Sequence, residues 1–247
     1  MRIVSVVPSL TELLIDLGLE NALVGVTRFC IHPKEKTRRI QKVGGTKNLK
    51  VLDIIKLQPD IIIANKEENS QQDIVELQKH CDVLLTDIFN LNDSLSAIEE
   101  IGYRTEKTKE ALALIHQIKL EFSNLKDLPI LENNTIAYLI WGKPIMLAGR
   151  NTFINNLIEL MGGNNILVDP LSRYPEIQLS ELQSLQPDLI FLSSEPFPFA
   201  KKHLDQYKKD FPRAKILLVD GELFSWYGSR LKLTPAYFRE LHTEIMS

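Results

Sequence analysis

Short apolar runs and amphipathic stretches alternate along the first part of the chain. Ile3 to Val7 is a β-branched run typical of a buried strand. Ser9 and Glu12 follow at the three-residue spacing of a capping box, which predicts a helix from about Leu10 to Leu17. Residues 28–50 have no regular period and predict a long loop.

One segment occurs twice. Residues 51–67 read VLDIIKLQPDIIIANKE and residues 179–195 read LSELQSLQPDLIFLSSE, with an offset of 128 residues throughout. Each copy has a short helical pattern, a proline that ends it, an aspartate, an apolar strand pattern and a polar loop. The shared LQPD predicts a duplicated architecture. Because strands and helices alternate in both halves, we expect parallel sheets, with ligands at the carboxyl ends of the strands.

The stretch between the two halves is helical in pattern. Asn92 to Leu125 contains no proline, and its apolar residues recur at helical spacing. This predicts one helix of roughly 30 residues, about 45 Å long. The alternative is two helices broken near Gly102. We therefore predict an N-terminal α/β lobe over residues 1–92, a linking long helix over 93–125 and a C-terminal α/β lobe over 126–247.

The second half contains three further local signals. Thr135 to Trp141 has the pattern of its first strand. Asn151 or Thr152 is suited to cap the helix that follows. Pro235 fits the first turn of a final helix, since that position needs no backbone N–H donor.

Composition excludes several classes of function. The chain has 247 residues, with 29 Lys and Arg against 32 Asp and Glu, for a net charge of −3. This small acidic excess argues against general nucleic-acid binding. No apolar run approaches the roughly 18–20 residues of a membrane span, so no membrane insertion is expected. Two cysteines, Cys30 and Cys81, do not make a disulfide framework.

The first residues do not have the pattern of a secretory signal. Met1 to Pro8 carries one charged side chain and a short apolar run, without a long apolar region or a small-residue cleavage site. Two interpretations remain open. Either the protein is cytoplasmic, or a leader has been removed.

The chain shows no catalytic motif. It contains no G-x-S-x-G, no phosphate-binding loop and no G-x-G-x-x-G, so we expect no enzyme activity and no catalytic residues. Cys30 and His32 lie two residues apart and would face the same side of an extended segment. They are candidates to hold a metal with further ligands. The alternatives are a contact from His32 to a ligand, or a structural role.

Aromatic residues concentrate in the predicted loops, where they would offer contact area to a flat ligand. The alternative is that they cover the sheet edges. They are Trp141, Tyr174, Phe197, Phe199, Phe224, Trp226 and Tyr227.

Glu67 and Glu195 occupy equivalent positions in the two copies of the repeat. One carboxylate on each lobe is suited to dock onto a symmetric basic partner. The alternative is that both are solvated loop side chains.

Together these segments resemble a known family, the BtuF-like cobalamin-, haem- and ferric-siderophore-binding group among the helical-backbone (class III) substrate-binding proteins of ABC importers. The resemblance covers nearly the whole chain. The segments on which the resemblance rests are RIVSVVPSLTELLIDLG, VGVT, His32-Pro33, VGGTKN, LQPDIIIA, PIMLAGRNTFINNLIELMGG, YPEIQLSEL, LQPDLIFL and DGELFSWYGSR.

The resemblance implies an α/β fold of two similar lobes with mainly parallel sheets, joined by one long helix, with a ligand cleft between the lobes. It implies a periplasmic monomer with no built-in cofactor that delivers a corrinoid, haem or ferric chelate to an ABC permease dimer. Glu67 and Glu195 would be its docking residues. The ligand-binding residues expected on this basis are Phe29, Cys30, His32, Asn65, Lys66, Trp141, Tyr174, Trp226, Tyr227 and Arg230.

A second hypothesis remains beside this one. A cytoplasmic metal-binding protein, metallochaperone or enzyme on the same scaffold would account for the missing signal and for the Cys30 and His32 pair.

Overall fold

The computed structural model describes residues 1–125, 130–166, 169 and 171–247. It divides the chain into two compact units. The first unit comprises Met1–Ile88, Asn92–Lys119 and Tyr227–Lys232, and the second comprises Phe89–Leu91, Leu120–Trp226 and Leu233–Ser247. The three-part division expected from the sequence stays a prediction, and its boundary at residue 126 lies outside the described residues.

Strands and helices alternate along most of the first unit, as its pattern predicts. The prediction of a long loop over residues 28–50 is wrong in part, because this stretch contains one short helix and three two-residue strands. Its elements in chain order are β1 (Ile3–Ser5), α1 (Pro8–Asp16), β2 (Leu23–Val26), α2 (Lys34–Thr37), β3 (Gln41–Lys42), β4 (Gly44–Gly45), β5 (Asn48–Leu49), α3 (Val51–Lys56), β6 (Ile61–Asn65), α4 (Gln71–Gln78), β7 (Val83–Thr86), α5 (Leu91–Arg104) and α6 (Thr108–Ser123). The first residue of α5 and the last four residues of α6 belong to the second unit.

The sheet of the first unit is parallel, in the order β3-β2-β1-β6-β7. Strand β6 lies inside the sheet and all five of its residues are buried, which explains the apolar run that precedes Asn65. Ile54 of α3 and Leu77 of α4 are fully buried against one face, together with Val4 and Ile62. The apolar positions of the short helices thus build one side of this core.

The prediction of one long linking helix is wrong. The structure has two helices here, α5 and α6, as in the alternative, with the break at residues 105–107. Glu106 adopts a left-handed backbone at φ 60°, and the Lys107 N–H donates to Gly102 O at 2.7 Å. A Cβ at Gly102 would overlap the Cβ of Ala111, so this glycine allows α6 to pack directly against α5.

The second unit alternates strands and helices in the same way. Its elements in chain order are β8 (Thr135–Gly142), β9 (Ile145–Leu147), α7 (Phe153–Leu160), β10 (Asn164–Asn165), β11 (Glu176–Ile177), α8 (Leu179–Ser184), β12 (Leu189–Ser193), α9 (Lys201–Asp210), β13 (Lys215–Val219), α10 (Gly221–Ser225) and α11 (Thr234–Met246). A 3-10 helix, Ser229–Lys232, precedes α11 and belongs to the first unit.

The sheet of the second unit is mixed. Strands β10, β12 and β13 form its parallel part with β8, while β9 and β11 add an antiparallel edge. Buried side chains such as Leu182 of α8, Ile190 of β12 and Tyr207 of α9 form a core on one face. Parallel strands therefore dominate in both units, and the predicted α/β class of two mainly parallel lobes is confirmed.

The sequence repeat corresponds to a structural repeat. Helix α8 begins and ends 128 residues after α3, and β12 begins and ends 128 residues after β6. Gln58 and Gln186, which precede the two prolines, share a left-handed backbone, at φ 46° and 48°. The duplicated segment is thus the same helix–turn–strand unit in both halves.

The two aspartates of LQPD hold neighbouring strands in register. Asp60 Oδ2 accepts the Arg2 N–H at 2.6 Å, and Asp188 Oδ2 accepts the Thr135 N–H at 2.8 Å. The backbone N–H groups of both aspartates donate back to the carbonyls of the same two residues, at 2.8 and 2.9 Å. Each aspartate therefore fixes the start of the adjacent strand, β1 or β8.

The helix starts expected from the sequence have different outcomes. The Ser9 and Glu12 capping box is wrong, because α1 begins at Pro8 and its N-cap, Val7, makes no side-chain cap hydrogen bond. Proline supplies the start instead, since its fixed φ suits the first helical turn. Thr152 caps α7 by accepting the Asn155 N–H at 3.1 Å, as one of the two alternatives predicts. Pro235 lies in the first turn of α11, as expected.

Across the described residues, no helix combines the length and the apolar character needed to cross a membrane.

Candidate functional site

In the first unit, two asparagines organise the turn at the carboxyl end of β6. Asn65 is buried, and its Oδ1 accepts the N–H groups of Glu67 and Glu68 at 2.9 and 3.3 Å. Its amide nitrogen donates to Thr86 Oγ1 at 3.1 Å. Asn69 Oδ1 accepts the Asn65 N–H at 2.9 Å. The Asn65 amide therefore shapes the loop, and the side chains beside it are the ones presented to solvent.

Charged side chains follow Asn65 on the same loop. Lys66 is exposed, and its Nζ lies 2.7 Å from Asp87 Oδ2. Glu67 is half-buried, and its carbonyl oxygen accepts a hydrogen bond from Lys47 Nζ. The loop thus presents cations and a carboxylate together at one end of the parallel sheet.

The segment after β2 contains two neighbouring candidates, of which one is exposed and the other is buried. Phe29 is 48% exposed, with the Arg28 guanidinium 4.9 Å from its ring centre. The Cys30 thiol is buried and lies 3.0 Å from Thr11 Oγ1 and 3.1 Å from Thr27 Oγ1. Burial raises the pKa of the Cys30 thiol, so the thiolate that a metal requires is disfavoured.

His32 is half-buried, unlike Cys30. Within the described part of the chain, no group of three or more His, Cys, Asp and Glu side chains is placed to hold a metal ion. The structure therefore gives the Cys30 and His32 pair no further protein ligand there.

Arg230 is held by a carboxylate of its own unit. Its Nε and one terminal nitrogen donate to the two carboxylate oxygens of Glu12, at 2.8 and 2.7 Å. The side chains are only 12% and 16% exposed. This bidentate pair ties the 3-10 helix to α1. Tyr227, just before the 3-10 helix, is buried in the same unit.

In the second unit, Trp141 lies at the carboxyl end of β8 and is 38% exposed. Its indole N–H donates to Lys143 O at 3.0 Å, and its ring centre lies 5.4 Å from that of Phe197 in an edge-on arrangement. The side chain is therefore oriented and still accessible.

Trp226 and Glu195 are brought together. Trp226 is buried, and its Nε1–H donates to Glu195 Oε1 at 2.9 Å. Ser225 Oγ donates to the same oxygen at 2.9 Å. Burial raises the pKa of Glu195, and the nearby Glu222 raises it further, while the two hydrogen bonds act in the opposite direction. Trp226 is thus a partner of this carboxylate as well as a ligand-binding candidate.

Tyr174 lies before β11 and is half-buried. The Arg173 guanidinium lies 5.9 Å from its ring centre and 4.9 Å from that of Phe89. The candidate is therefore part of a small cation–aromatic group within the second unit.

Sequence reasoning missed the residues that hold the candidates in place. Asn69, Thr11 and Ser225 lie 4, 19 and 30 positions from the groups they bind. Only for Asn69 was a local signal present, since asparagine side chains commonly bond backbone groups in turns. The other two contacts depend on how the chain folds.

Comparison with known proteins gives consistent results. The family described as Periplasmic binding protein matches residues 3–214. The vitamin B12-binding protein of Vibrio parahaemolyticus serotype O3:K6 (strain RIMD 2210633) is 24% identical over 194 residues, covering 78% of this chain and 70% of the relative.

Two solved structures share the fold at low sequence identity. The periplasmic vitamin B12 binding protein BtuF of Vibrio cholerae has a TM-score of 0.86 at 19% identity, covering 99% of this chain and 96% of the other. The periplasmic heme-binding protein RhuT from Roseiflexus sp. RS-1 has a TM-score of 0.82 at 20% identity, covering 98% of each chain. The family match spans most of the chain, and the protein belongs to the periplasmic binding protein family.

Proposed function

We propose that this protein is the substrate-binding component of an ABC importer. Its ligand would be a metal-containing chelate such as cobalamin, haem or a ferric siderophore. The observation that carries the proposal is an exposed aromatic side chain at the carboxyl ends of the strands in each unit. Phe29 follows β2 in the first unit, and Trp141 ends β8 in the second.

Chemistry supports this class of ligand. Corrin and porphyrin rings are large, flat and apolar over most of their faces, and aromatic side chains provide matching contact area. Relatives and structural neighbours are named for vitamin B12 and haem. Tyr174 and His32, both half-buried, would complete the contact surface. The cleft expected between the lobes is part of this proposal. Cys30 is not one of the proposed contact residues, because its thiol is buried and hydrogen-bonded.

The proposal includes a role for Lys66 and Arg230. The ammonium of Lys66 is exposed beside Asp87 and is suited to an anionic edge of the ligand, such as a propionate. Arg230 is mostly occupied by Glu12, so we assign it to holding the 3-10 helix in place, with any ligand contact coming from its neighbours.

Glu67 and Glu195 are the proposed docking residues for a permease dimer. Each lies two residues after the end of a repeated strand, β6 or β12. Among the described residues, both side-chain hydrogen bonds to Glu195 end on Oε1. That leaves Oε2 for a basic group of the partner. Action outside the cytoplasmic membrane, as a monomer without catalytic activity, completes the proposal.

Ligand titration tests the proposal. Purified protein is titrated separately with hydroxocobalamin, haemin and a ferric catecholate siderophore, following tryptophan fluorescence and thermal unfolding. We expect one of them to quench fluorescence saturably and to raise the melting temperature. Phe29→Ala and Trp141→Ala are expected to weaken binding, since each removes an exposed ring without opening the core.

Tyr103→Ala is the matched control, because Tyr103 is a 70% exposed ring on α5 and its neighbour Arg104 pairs with Asp82 just before β7, at the amino ends of the strands. Its affinity should equal that of the unsubstituted protein. Absence of quenching and stabilisation with all three chelates would overturn the proposal. Equal weakening by Tyr103→Ala would overturn the assignment of the strand-end aromatics.

A further inference from the structure

The second unit contains a cavity of about 610 Å³ whose lining includes neither of the docking carboxylates and none of the residues proposed to contact the chelate. Two of the loop aromatics noted in the sequence, Phe197 and Phe199, line this cavity instead. It lies between the β8–β9 turn, the start of α8, the loop after β12 and the exposed side of α9. The residues that line it are Gly142, Lys143, Ile145, Leu179, Phe197, Phe199, His203, Gln206, Tyr207 and Asp210.

Aromatic rings form one wall of this cavity and hold one another in place. The ring centres of Phe197 and Phe199 are 4.7 Å apart, and His203 lies 5.5 Å from both. Tyr207 continues the wall, with its ring centre 6.2 Å from that of Phe199. Edge-to-face packing of this kind fixes the ring orientations before a ligand arrives.

Gly142 sets the position of this wall. A Cβ at this position would lie 3.3 Å from Cε1 of Phe197 and 3.5 Å from Cε1 of Phe199. The absence of a side chain at Gly142 therefore lets both rings pack against the end of β8. A methyl group there would push the Phe197 ring by a few tenths of an ångström.

The polar groups of the cavity are arranged asymmetrically. The Ala200 N–H donates to His203 Nδ1 at 2.9 Å, so the neutral imidazole carries its proton on Nε2 as a donor. In the described part of the chain, the Lys143 ammonium has no ion-pair partner. Asp210 lies seven residues further along α9, about 10 Å from His203, and its Oδ2 accepts a hydrogen bond from Gln206. Donors and positive charge therefore gather near Gly142, away from the carboxylate of Asp210.

We propose that this cavity is a second binding site, for a small aromatic carboxylate of one or two rings. The ring system would lie against Phe197, Phe199 and Tyr207, with Ile145 and Leu179 on the apolar side. The carboxylate would be bound by the ammonium of Lys143 and by His203 Nε2–H. Such a ligand is far smaller than a corrin or porphyrin ring, so the site serves a different molecule from the proposed chelate.

The probe for the test is 2-naphthoate, with 2-naphthamide as its neutral analogue. Calorimetry gives the dissociation constant, and the tryptophan indole signals in ¹⁵N-correlated spectra give the location. The chain has two tryptophans, so two signals are expected, and Trp141→Phe assigns them. We expect 2-naphthoate to bind with a Kd on the order of 0.1–1 mM and to shift the Trp141 signal, whose ring lies 5.4 Å from Phe197.

Two substitutions test the geometry. Lys143→Gln should raise the Kd for 2-naphthoate about threefold or more while leaving the weaker binding of 2-naphthamide unchanged. Gly142→Ala should raise the Kd for both probes by displacing the Phe197 ring into the cavity. Lys201→Gln is the matched control, because Lys201 is an exposed cation at the start of α9 that does not line the cavity.

The inference is overturned by any of three results. The first is no saturable binding of 2-naphthoate at millimolar concentration. The second is equal affinity for the charged and neutral probes. The third is a loss of binding in Lys201→Gln as large as that in Lys143→Gln. If Gly142→Ala does not fold, Lys143→Gln decides the test alone, because the Lys143 side chain is on the surface.

Discussion

The ion pair between Arg230 and Glu12 should contribute measurably to the stability of the first unit. Both side chains are mostly buried, and two nitrogens of the guanidinium meet both carboxylate oxygens at 2.7–2.8 Å. Two unit charges 4 Å apart attract by about 4 kcal/mol at an effective dielectric constant of 20. Loss of hydration offsets part of this, and we expect a coupling free energy of about 2 kcal/mol.

A double-mutant cycle with Arg230→Gln and Glu12→Gln measures this coupling. Each single change leaves a mostly buried charge without its partner, so we expect each to lower the free energy of unfolding by about 2–3 kcal/mol. For a chain of this size that corresponds to a fall of roughly 4–12 °C in melting temperature. The double variant should lose clearly less than the sum of the two single losses. Urea unfolding followed by far-ultraviolet circular dichroism is the assay, because both tryptophans lie in the second unit.

Lys232 and Asp16 provide the matched control, since they join the same 3-10 helix to the same α1. Their charged atoms lie 2.9 Å apart, but the side chains are 31% and 34% exposed. Solvent screening should limit their coupling to about 0.2–1 kcal/mol. A coupling below about 0.5 kcal/mol for Arg230 and Glu12, or one no larger than the control, would refute the reasoning that burial strengthens this pair.

Three further predictions concern single side chains. Burial raises the pKa of Glu195 in the folded protein above its ordinary value of 4.5. Protonation of this side chain therefore stabilises the fold below pH 4.5, and the stabilisation is lost as pH rises through the raised pKa. Glu195→Gln should therefore gain stability relative to the unsubstituted protein as pH rises above 4.5, measured by urea titrations at each pH; a constant difference would contradict this. Asp60→Ala and Asp188→Ala should each cost about 1 kcal/mol, because each leaves a strand-starting N–H without its acceptor; a loss in only one of them would show that the two repeats are not energetically equivalent. Cys30 should not react with Ellman's reagent in the native protein, since its thiol is buried and its pKa is raised; rapid reaction in a Cys81→Ser variant would exclude this placement.

The repeated segment was the most predictable part of the fold. A proline after a short apolar helix, followed by an aspartate and a β-branched run, has one low-energy arrangement, and it recurs in both units. The linking region was less predictable, because its helical pattern continues across the break. The break depends on the close approach of Gly102 to Ala111 and on the left-handed backbone of Glu106. Neither feature changes the spacing of the apolar residues along the sequence.

The loops that carry the candidate residues were predictable, but most of the side-chain partners were not. The aromatic residues in predicted loops indicated Trp141 and the family resemblance indicated Phe29, and both are exposed. The partners of Glu195 and Arg230 lie 30 and 218 positions away in sequence. Contacts at such separations depend on tertiary packing, which local pattern does not specify.

The position of the short segment Tyr227–Lys232 in the sequence affects when the first unit can complete its fold during synthesis. Most of the first unit is translated before the second unit, but this piece of it follows the segment Leu120–Trp226 of the second unit. The nascent first unit therefore lacks Arg230 beside Glu12 and the Ser94 contact to the Gly228 N–H until most of the second unit has been translated. Premature termination after Trp226 would remove a part of both units, and no single cut in the gene separates them into two complete folding units.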